Sequence, residues 1–379
     1  MVIETCGGGS GRHLLDLAQG LASLSNEVHI IFSPTRAEQG FIEGLRSFHN
    51  IRRFPVRMET APGIHDLGAL LQIRKYIRRM GPFDIIHGHS SKAGALARLA
   101  APSSHTKRVY TPHALYTMNP NLSPRKRKVY RAIESLLAQF ATDTVIPVSN
   151  EERIHAVENG FPTDKINLVV NGVSPRTDKE LRLTREQVRK RLGVNRDTRV
   201  IGFVGRLDTQ KSPERVVRLA SLLKGQSLDI CFVMLGSGEL EPSIRQQISN
   251  SNLENYIKLF TNESGEEFMP AFDIFLLTSR YEAMPYVLIE ALTAGLPIVS
   301  TDVGGAQTVI EDGVNGYIVP EEDDISLMAT RLSTLCRDDS LLKRMSCNSR
   351  ERAKEFSLEK MVKQTVNVYE SPARASIQY

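Results

Sequence analysis

Two carboxylates eight residues apart, Glu282 and Glu290, lie in RYEAMPYVLIEA (residues 280–291), a stretch that is otherwise largely apolar. Pro285 suits the first position of a helix, where its missing N–H costs nothing. The helix is therefore expected over PYVLIEAL, with Glu282 in the loop before it. Met284 cannot cap that helix, so the N–H groups of Tyr286, Val287 and Leu288 need an acceptor. A phosphate would satisfy both these donors and the helix dipole. Glu290 projects back toward the same end. Its neighbours Val287, Ile289, Ala291 and Leu292 imply burial, which a carboxylate tolerates only with donors, such as a pair of sugar hydroxyls. Glu282 falls on the other side of the phosphate position and could hold a second sugar. A structural account fits the same residues, with Glu282 favouring the dipole and Glu290 paired with an arginine.

Two cations stand in a comparable place. In GFVGRLDTQKS (202–212), Gly205 turns the chain and Arg206 and Lys211 flank the loop. An arginine fork and a lysine point charge can neutralise a diphosphate without a metal. CGGGSGRH (6–13) brings four glycines to the start of another helix, suited to an anion or to a tight turn alone. It lacks both the third glycine of the dinucleotide fingerprint and the GK[ST] of a P-loop. Gly304 and Gly305 open a third turn of this kind.

Loops of this type work at the carboxyl ends of parallel strands, and the chain supplies the strands twice over. The first series is VIET (2–5), EVHIIF (27–32), DIIHGH (84–89), RVYTPH (108–113) and DTVIPVS (143–149). The second is RVIGFVG (199–205), LDICFVML (228–235), YIKLF (256–260), DIFLLTS (273–279) and PIVST (297–301). Near-continuous Val/Ile/Leu runs alternating with amphipathic segments indicate parallel sheets covered on both faces. The expected fold class is α/β, with two Rossmann-like doubly wound domains facing each other across a cleft. Residues 1–172 form the first, 173–198 a linker with a charged helix, and 199–354 the second. The tail from 323 reads as helices to about residue 370.

The chain has 379 residues and a net charge of +5. Residues 1–172 hold 21 Lys and Arg against 14 Asp and Glu, a net of +7, which suits an anionic partner or an ordinary solvated surface. Four scattered cysteines (Cys6, Cys231, Cys336, Cys347) read as free thiols in a reducing compartment. No run reaches a membrane span, and the start lacks a signal peptide's basic and apolar regions. A cytoplasmic address follows as the expectation, and no nucleic-acid partner is indicated.

Taken together, Glu282-x7-Glu290, ALTAGLPIVSTDVGG and GRLDTQKS resemble the signature of retaining, nucleotide-sugar-dependent glycosyltransferases of family 4, which have the GT-B fold. GGGSGRH, DIIHGHSSKAG, TPHAL, VSNEERI and NGV resemble further stretches of that family, so the likeness runs over about residues 5–320. It implies that Arg206 and Lys211, beside Gly205, hold the donor diphosphate. Glu290 would bind the ribose hydroxyls and Glu282 those of the transferred sugar. Backbone over Ala283, Met284, Pro285, Tyr286 and Val287 would contact sugar and phosphates, with Asn262 near the base. Gly9, Ser10 and Gly11 would approach the donor phosphate and acceptor, and His113 would hydrogen-bond the reacting sugar. Residues from about 355 to 379 would cross back onto the first domain. The sequence departs from the family in a short first strand, in Met284-Pro285 where Phe-Gly is usual, and in FTNES (260–264), which lacks a glycine.

The resulting expectation is a hexosyltransferase using a UDP-sugar, with UDP-glucose favoured, and acting on a saccharide or lipid-linked acceptor in polysaccharide synthesis. No DxD motif is evident; the acidic EEDD (321–324) suits a helix start, so no metal or other cofactor is expected. Retention by front-face displacement is favoured over a covalent intermediate. SPRKRKVYRAIESLLAQF (123–140) forms a basic amphipathic helix with Arg125, Lys126, Arg127, Lys128 and Arg131, suited to an anionic membrane face on the inner side or to solvent. A nucleotide-sugar epimerase or hydrolase of the same fold, and a non-catalytic subunit, are the competing readings.

Overall fold

A computed structural model describes residues 1–59, 61–102, 105–321 and 325–372 of the chain. It divides into two compact units, Met1–Gly172 together with the chain from Leu358 onward, and Val173–Ser357.

The first unit begins with β1 (Val2–Ile3), α1 (Gly8–Ser23), β2 (Val28–Phe32), α2 (Gln39–Ser47), β3 (Ile51–Pro55) and α3 (His65–Met80). It continues with β4 (Ile85–His89), α4 (Ser91–Ala100), β5 (Lys107–Thr111), α5 (Pro124–Phe140), β6 (Thr144–Val145) and α6 (Asn150–Glu158). The six strands form one sheet in the order β3-β2-β1-β4-β5-β6, every neighbouring pair parallel. The second unit starts with α7 (Asp178–Leu192), β7 (Arg199–Val204), α8 (Glu214–Lys224), β8 (Ile230–Leu235), α9 (Glu241–Asn250), β9 (Ile257–Phe260) and α10 (Gly265–Phe268). There follow β10 (Ile274–Leu277), α11 (Tyr286–Thr293), β11 (Ile298–Thr301), α12 (Ala306–Val309), β12 (Gly316–Val319), α13 (Ser326–Arg337) and α14 (Asp339–Ala353). Its sheet, β12-β11-β10-β7-β8-β9, is also six-stranded and parallel throughout.

Burial explains which segments became strands. All six residues of β8 (ICFVML) and all four of β10 (IFLL) are buried, as expected of strands covered by helices on both faces. The two strands that the sequence reading did not contain, β3 and β12, lie at sheet edges. There β3 (IRRFP) turns its arginines outward and shows no apolar run. Strand β1 is limited to Val2–Ile3 rather than residues 2–5, and β6 to Thr144–Val145 rather than 143–149.

Residues 173–198, expected as a linker, are an integral part of the second unit. Thr177 and Glu180 close a reciprocal capping box on α7, and Gly193 ends the helix in the left-handed region at φ 61°. Arg185 and Arg189 then grip Asp273 at 2.6 and 3.1 Å and donate to the carbonyls of Phe272 and Ala271. Two cations of this highly charged segment, Arg185 and Arg189, are thus directed at backbone carbonyls and at one largely buried carboxylate rather than at solvent. This unit is entered and left at one place: Val173 and Ser357 form an isolated parallel bridge, and the Val173 N–H donates to Phe356 O at 2.9 Å.

The chain then returns to the first unit as α15 (Leu358–Glu370). That helix lies on α1 so closely that a Cβ added at Gly20 would stand 2.4 Å from Val362 Cγ2. Tyr369 Oη pairs with His87 Nδ1 at 2.7 Å, and Lys107 Nζ donates to Ser371 O at 2.6 Å. Residues 373–379 of the expected crossing lie outside the described residues, as do 322–324 of EEDD. Behind β5, Arg98 is fully buried; it donates to Glu134 at 2.9 Å and stacks 3.9 Å over the Tyr110 ring. Tyr110 Oη donates to the other Glu134 oxygen at 3.0 Å.

Candidate functional site

The candidate residues fall in both units, at the carboxyl ends of the strands, and each half is described by itself. In the second unit the β7 loop and the β10 loop are tied together. Thr278 Oγ1 donates to Lys211 O (2.9 Å), the Arg280 N–H to Gln210 O (2.8 Å), and Gln210 Nε2 to Tyr281 O (3.0 Å). This frame sets the charged groups. Lys211 Nζ lies 2.5 Å from Glu282 Oε1, and Ser279 Oγ donates to the same oxygen at 2.7 Å. Both side chains are largely buried, at 14% and 9% exposure. Arg206 differs: it is 60% exposed and pairs with Asp208 at 3.0 Å and with Gln210 at 3.2 Å. The close packing beside Gly205 calls for glycine at position 236. At φ 141°, Gly236 approaches so closely that a Cβ there would fall 1.9 Å from Gly205 O.

Helix α11 starts at Tyr286, one residue later than expected. Pro285 is its N-cap, with ψ 122°, and no side chain caps the end. The uncapped amino terminus thus survives the correction, and Ala283, Met284, Pro285 and Tyr286 are buried beside it. Val287 and Glu290 are half-buried. The Gly304-Gly305 turn packs against the loop that precedes α11. Helix α12 has only four residues, and the two glycines allow close packing on the β10 loop. A Cβ on Gly304 would fall 2.3 Å from Glu282 O, and one on Gly305 3.0 Å from Ala283 O. Asn262 is exposed in the loop after β9.

Arg215, which the sequence reading passed over, is buried at 1% exposure beneath this site. It donates to Thr278 O at 3.2 Å and to Glu321 at 2.6 Å. Glu321 therefore works as an ion-pair partner.

In the first unit the glycine loop follows β1, with Gly7 as N-cap of α1 and Gly8 at φ 54°. Its anion-seeking end already meets a carboxylate, since the Gly8 N–H donates to Glu38 Oε2 at 3.1 Å. Gly9 is exposed, Gly11 is buried, and Ser10 Oγ donates to Thr5 O at 3.1 Å. Near this loop the histidines cluster. His89 Nδ1 and His113 Nε2 are 3.1 Å apart, and the His13 ring lies 4.7 Å from that of His113. One ring nitrogen from each of the three lies within 4.8 Å of the others. His13 Nδ1 pairs with Asn171 Oδ1 at 2.9 Å, which fixes its ring. Burial keeps these imidazoles neutral: His13 is lowered to about 4, and His87, His89 and His113 well below the usual range. Neutral rings with buried N–H groups suit uncharged hydroxyl partners.

On α5, Val129, Ile133, Leu136 and Phe140 are 57, 47, 57 and 70% exposed. Their spacing puts them on one stripe, opposite the buried Glu134 and Ala138. Arg127 and Arg131 donate to the carbonyls of Asn119 and Glu158, leaving Arg125, Lys126 and Lys128 exposed beside the stripe. Among the described residues no helix is long and apolar enough to cross a membrane. A cavity of 230 Å³, lined by Val28, His29, Tyr76, Phe83, His87 and Tyr369, opens at the amino ends of the first sheet's strands.

Comparison with known proteins accords with this arrangement. Residues 7–177 match Glycosyltransferase Family 4 and residues 184–352 match Glycosyl transferases group 1. A D-inositol 3-phosphate glycosyltransferase of Corynebacterium urealyticum is 26% identical over 96% of this chain and 91% of its own. An Escherichia coli enzyme, UDP-Gal:alpha-D-GlcNAc-diphosphoundecaprenol alpha-1,3-galactosyltransferase, is 28% identical over 81% and 80%. The crystal structure of Anabaena HepE in complex with UDP-glucose superposes with a TM-score of 0.82 at 19% identity, covering 98% of this chain and 99% of that one. Two parallel doubly wound units of this kind define the GT-B glycosyltransferases. The chain belongs to glycosyltransferase family 4.

Proposed function

We propose that this glycosyltransferase transfers a hexose, with retention of configuration, from a UDP-sugar to a hydroxyl of a saccharide or lipid-linked acceptor. UDP-glucose is the favoured donor. The observation that carries this reading is the Lys211–Glu282 pair beside the start of α11, which has no side-chain cap, with Arg206 exposed on the same loop as Lys211. Lys211, Arg206 and the helix N–H groups would stabilise charge developing on the leaving diphosphate, and no metal is needed for that task. Glu282, held by Lys211 and Ser279, would accept hydroxyls of the transferred sugar, and Glu290 those of the ribose. His113, kept neutral, would hydrogen-bond the same sugar. In the front-face route the leaving phosphate oxygen helps remove the acceptor's proton as the new glycosidic bond forms.

A UDP-glucose complex of HepE and the diphosphoundecaprenol acceptor named for the E. coli relative support a nucleotide-sugar donor and a lipid-borne acceptor. The α5 stripe supports attachment to an anionic membrane, its apolar side chains entering the interface between flanking cations.

The test is a panel of UDP- and GDP-sugars offered without added metal, with a lipid-linked saccharide as acceptor. Parent protein, Glu282→Ala and Lys211→Ala are compared for nucleotide release and glycosylated product. Turnover of a UDP-hexose by the parent, lost in both variants, supports the reading. Turnover of GDP-sugars alone, strict dependence on added divalent metal, or full activity in either variant overturns it.

A further inference from the structure

Ser149-Asn150-Glu151-Glu152 has the spacing of a capping box, in which the third residue's carboxylate returns to the N-cap N–H. Only half of that box forms. Ser149 Oγ accepts from the Glu152 N–H at 3.1 Å, as expected. The Glu152 carboxylate turns away and crosses to the loop after β5. Its Oε1 accepts from the Ala114 N–H at 2.7 Å and its Oε2 from the Val148 N–H at 2.8 Å, with the Leu115 N–H also directed at it. Glu152 is fully buried, and burial raises its pKa to about 7. A bare carboxylate is a costly thing to bury for the sake of ordinary helix capping.

The loop it reaches is unusual. His113 and Ala114 both have positive φ, 54° and 75°, and neither is glycine. Two successive left-handed residues of this kind persist only where surrounding contacts over-determine them. That turn directs the His113 ring at His89, 3.1 Å away, and sets it 4.7 Å from the ring of His13. A second tie joins the same two segments, between Thr117 Oγ1 and His155 Nε2 at 2.8 Å. Without Glu152, the part-buried Ala114 N–H would lack its acceptor, and an extended backbone at His113 would relieve the strain.

We propose that Glu152 is a positioning residue: by holding the Ala114 and Val148 N–H groups it maintains the left-handed turn that presents His113. This rests on the reading of His113 as a contact to the transferred sugar, so the experiment separates the two. Glutamine at 152 offers one acceptor oxygen where two N–H groups need one each, and its amide nitrogen faces the other. Glu152→Gln is therefore compared with Glu152→Asp, His113→Ala and the double variant. Histidine-ring NMR of the unliganded protein gives a readout that does not depend on activity.

The expected result is a roughly 10–100-fold loss of kcat in Glu152→Gln with donor KM little changed, as misplacement of a catalytic contact produces. Glu152→Asp, which keeps the charge on a shorter arm, should recover part of it. In the His113→Ala background, Glu152→Gln should cost nothing further. The His113 ring resonances should move in Glu152→Gln. Equal losses in both backgrounds, or unmoved His113 resonances in a folded variant, would overturn the proposal. Should no donor support transfer by the parent, the function assigned to His113 falls, while the ring resonances still decide what Glu152 does. If Glu152→Gln does not fold, the same cycle and spectra are read on Glu152→Asp, with a smaller loss expected.

Discussion

Lys211 Nζ stands 2.5 Å from Glu282 Oε1, although the two residues come from different strand-end loops 71 positions apart. Each makes the other tolerable in a largely buried place, and removing one strands the other. Lys211→Met should therefore destabilise the second unit by about 1–3 kcal/mol, toward the lower end for a pair that keeps some solvent contact. Lys211→Met combined with Glu282→Gln should cost less than the sum of the two single changes, since neither charge is left alone. Urea denaturation of the four proteins checks this, and strict additivity would deny the coupling.

The buried histidines make a pH prediction with a definite sign. A group whose folded pKa is depressed contributes stability that is present above its unfolded pKa and lost as pH falls toward the folded value. His13, lowered from 6.5 to about 4, accounts for roughly 3 kcal/mol lost on acidification across that window. His87, His89 and His113 shift in the same direction. Glu152 opposes them: its raised pKa gives stability that is full below about 4.5 and lost as pH rises through about 7. Four imidazoles outweigh one carboxylate, so the urea midpoint should fall between pH 6.5 and 5. His13→Gln should flatten that fall. An unchanged slope in His13→Gln would show that its ring takes up a proton freely in the folded protein.

Membrane attachment through α5 should depend on both of its components. Reversing Arg125, Lys126 and Lys128 to glutamate should weaken binding to anionic vesicles by at least about 100-fold, at roughly 1 kcal/mol per cation removed. Phe140→Ser and Leu136→Ser should weaken it at any salt concentration, because they remove apolar area. Arg127→Gln should act chiefly on stability, since Arg127 donates to Asn119 O and Pro120 O. Vesicle sedimentation at low and high salt separates these effects. Equal binding to neutral and anionic vesicles would count against the α5 surface.

In the core of the first unit, Arg98→Met should be costly out of proportion to its volume. It removes the cation from between Tyr110 and Glu134 and leaves the 6%-exposed Glu134 carboxylate without its main partner. A loss of about 3–5 kcal/mol is expected. Restoring neutrality with Glu134→Gln should recover part of it, as read from thermal or urea unfolding.

How much of this was legible in the sequence depended on whether a residue's task was written near it. Arg206, Lys211, Glu282 and the start of α11 could be picked out because each follows a strongly apolar strand, where a charge needs a reason. Ser279, Gln210 and Thr278 carry no such mark. Thr278 and Gln210 tie the two loops through backbone carbonyls that only the parallel register of β7 and β10 brings together, and Ser279 holds Glu282 within its own loop. Glu38 reaches the Gly8 N–H from 30 positions away, and Glu152 was masked by a capping-box spacing that it only half obeys. The edge strand β3 lacks the apolar run that burial on both faces imposes on its neighbours, and β12 is only four residues long. Segment 173–198 misled for a related reason: charge was read as exposure, yet Arg185 and Arg189 are tied down by Asp273.

The bridge between Val173 and Ser357 has a consequence for how such a protein can be taken apart. The second unit is a single uninterrupted segment whose two ends lie side by side, the topology of an insertion, whereas the first unit is assembled from two pieces of chain. Residues 173–357 can thus be excised or exchanged as one cassette, with both junctions cut at the same spot. On the functional reading above, that cassette holds the diphosphate-binding groups. On the same reading, grafting another family member's segment between Gly172 and Leu358 would change the donor preference while leaving the first unit its own sequence.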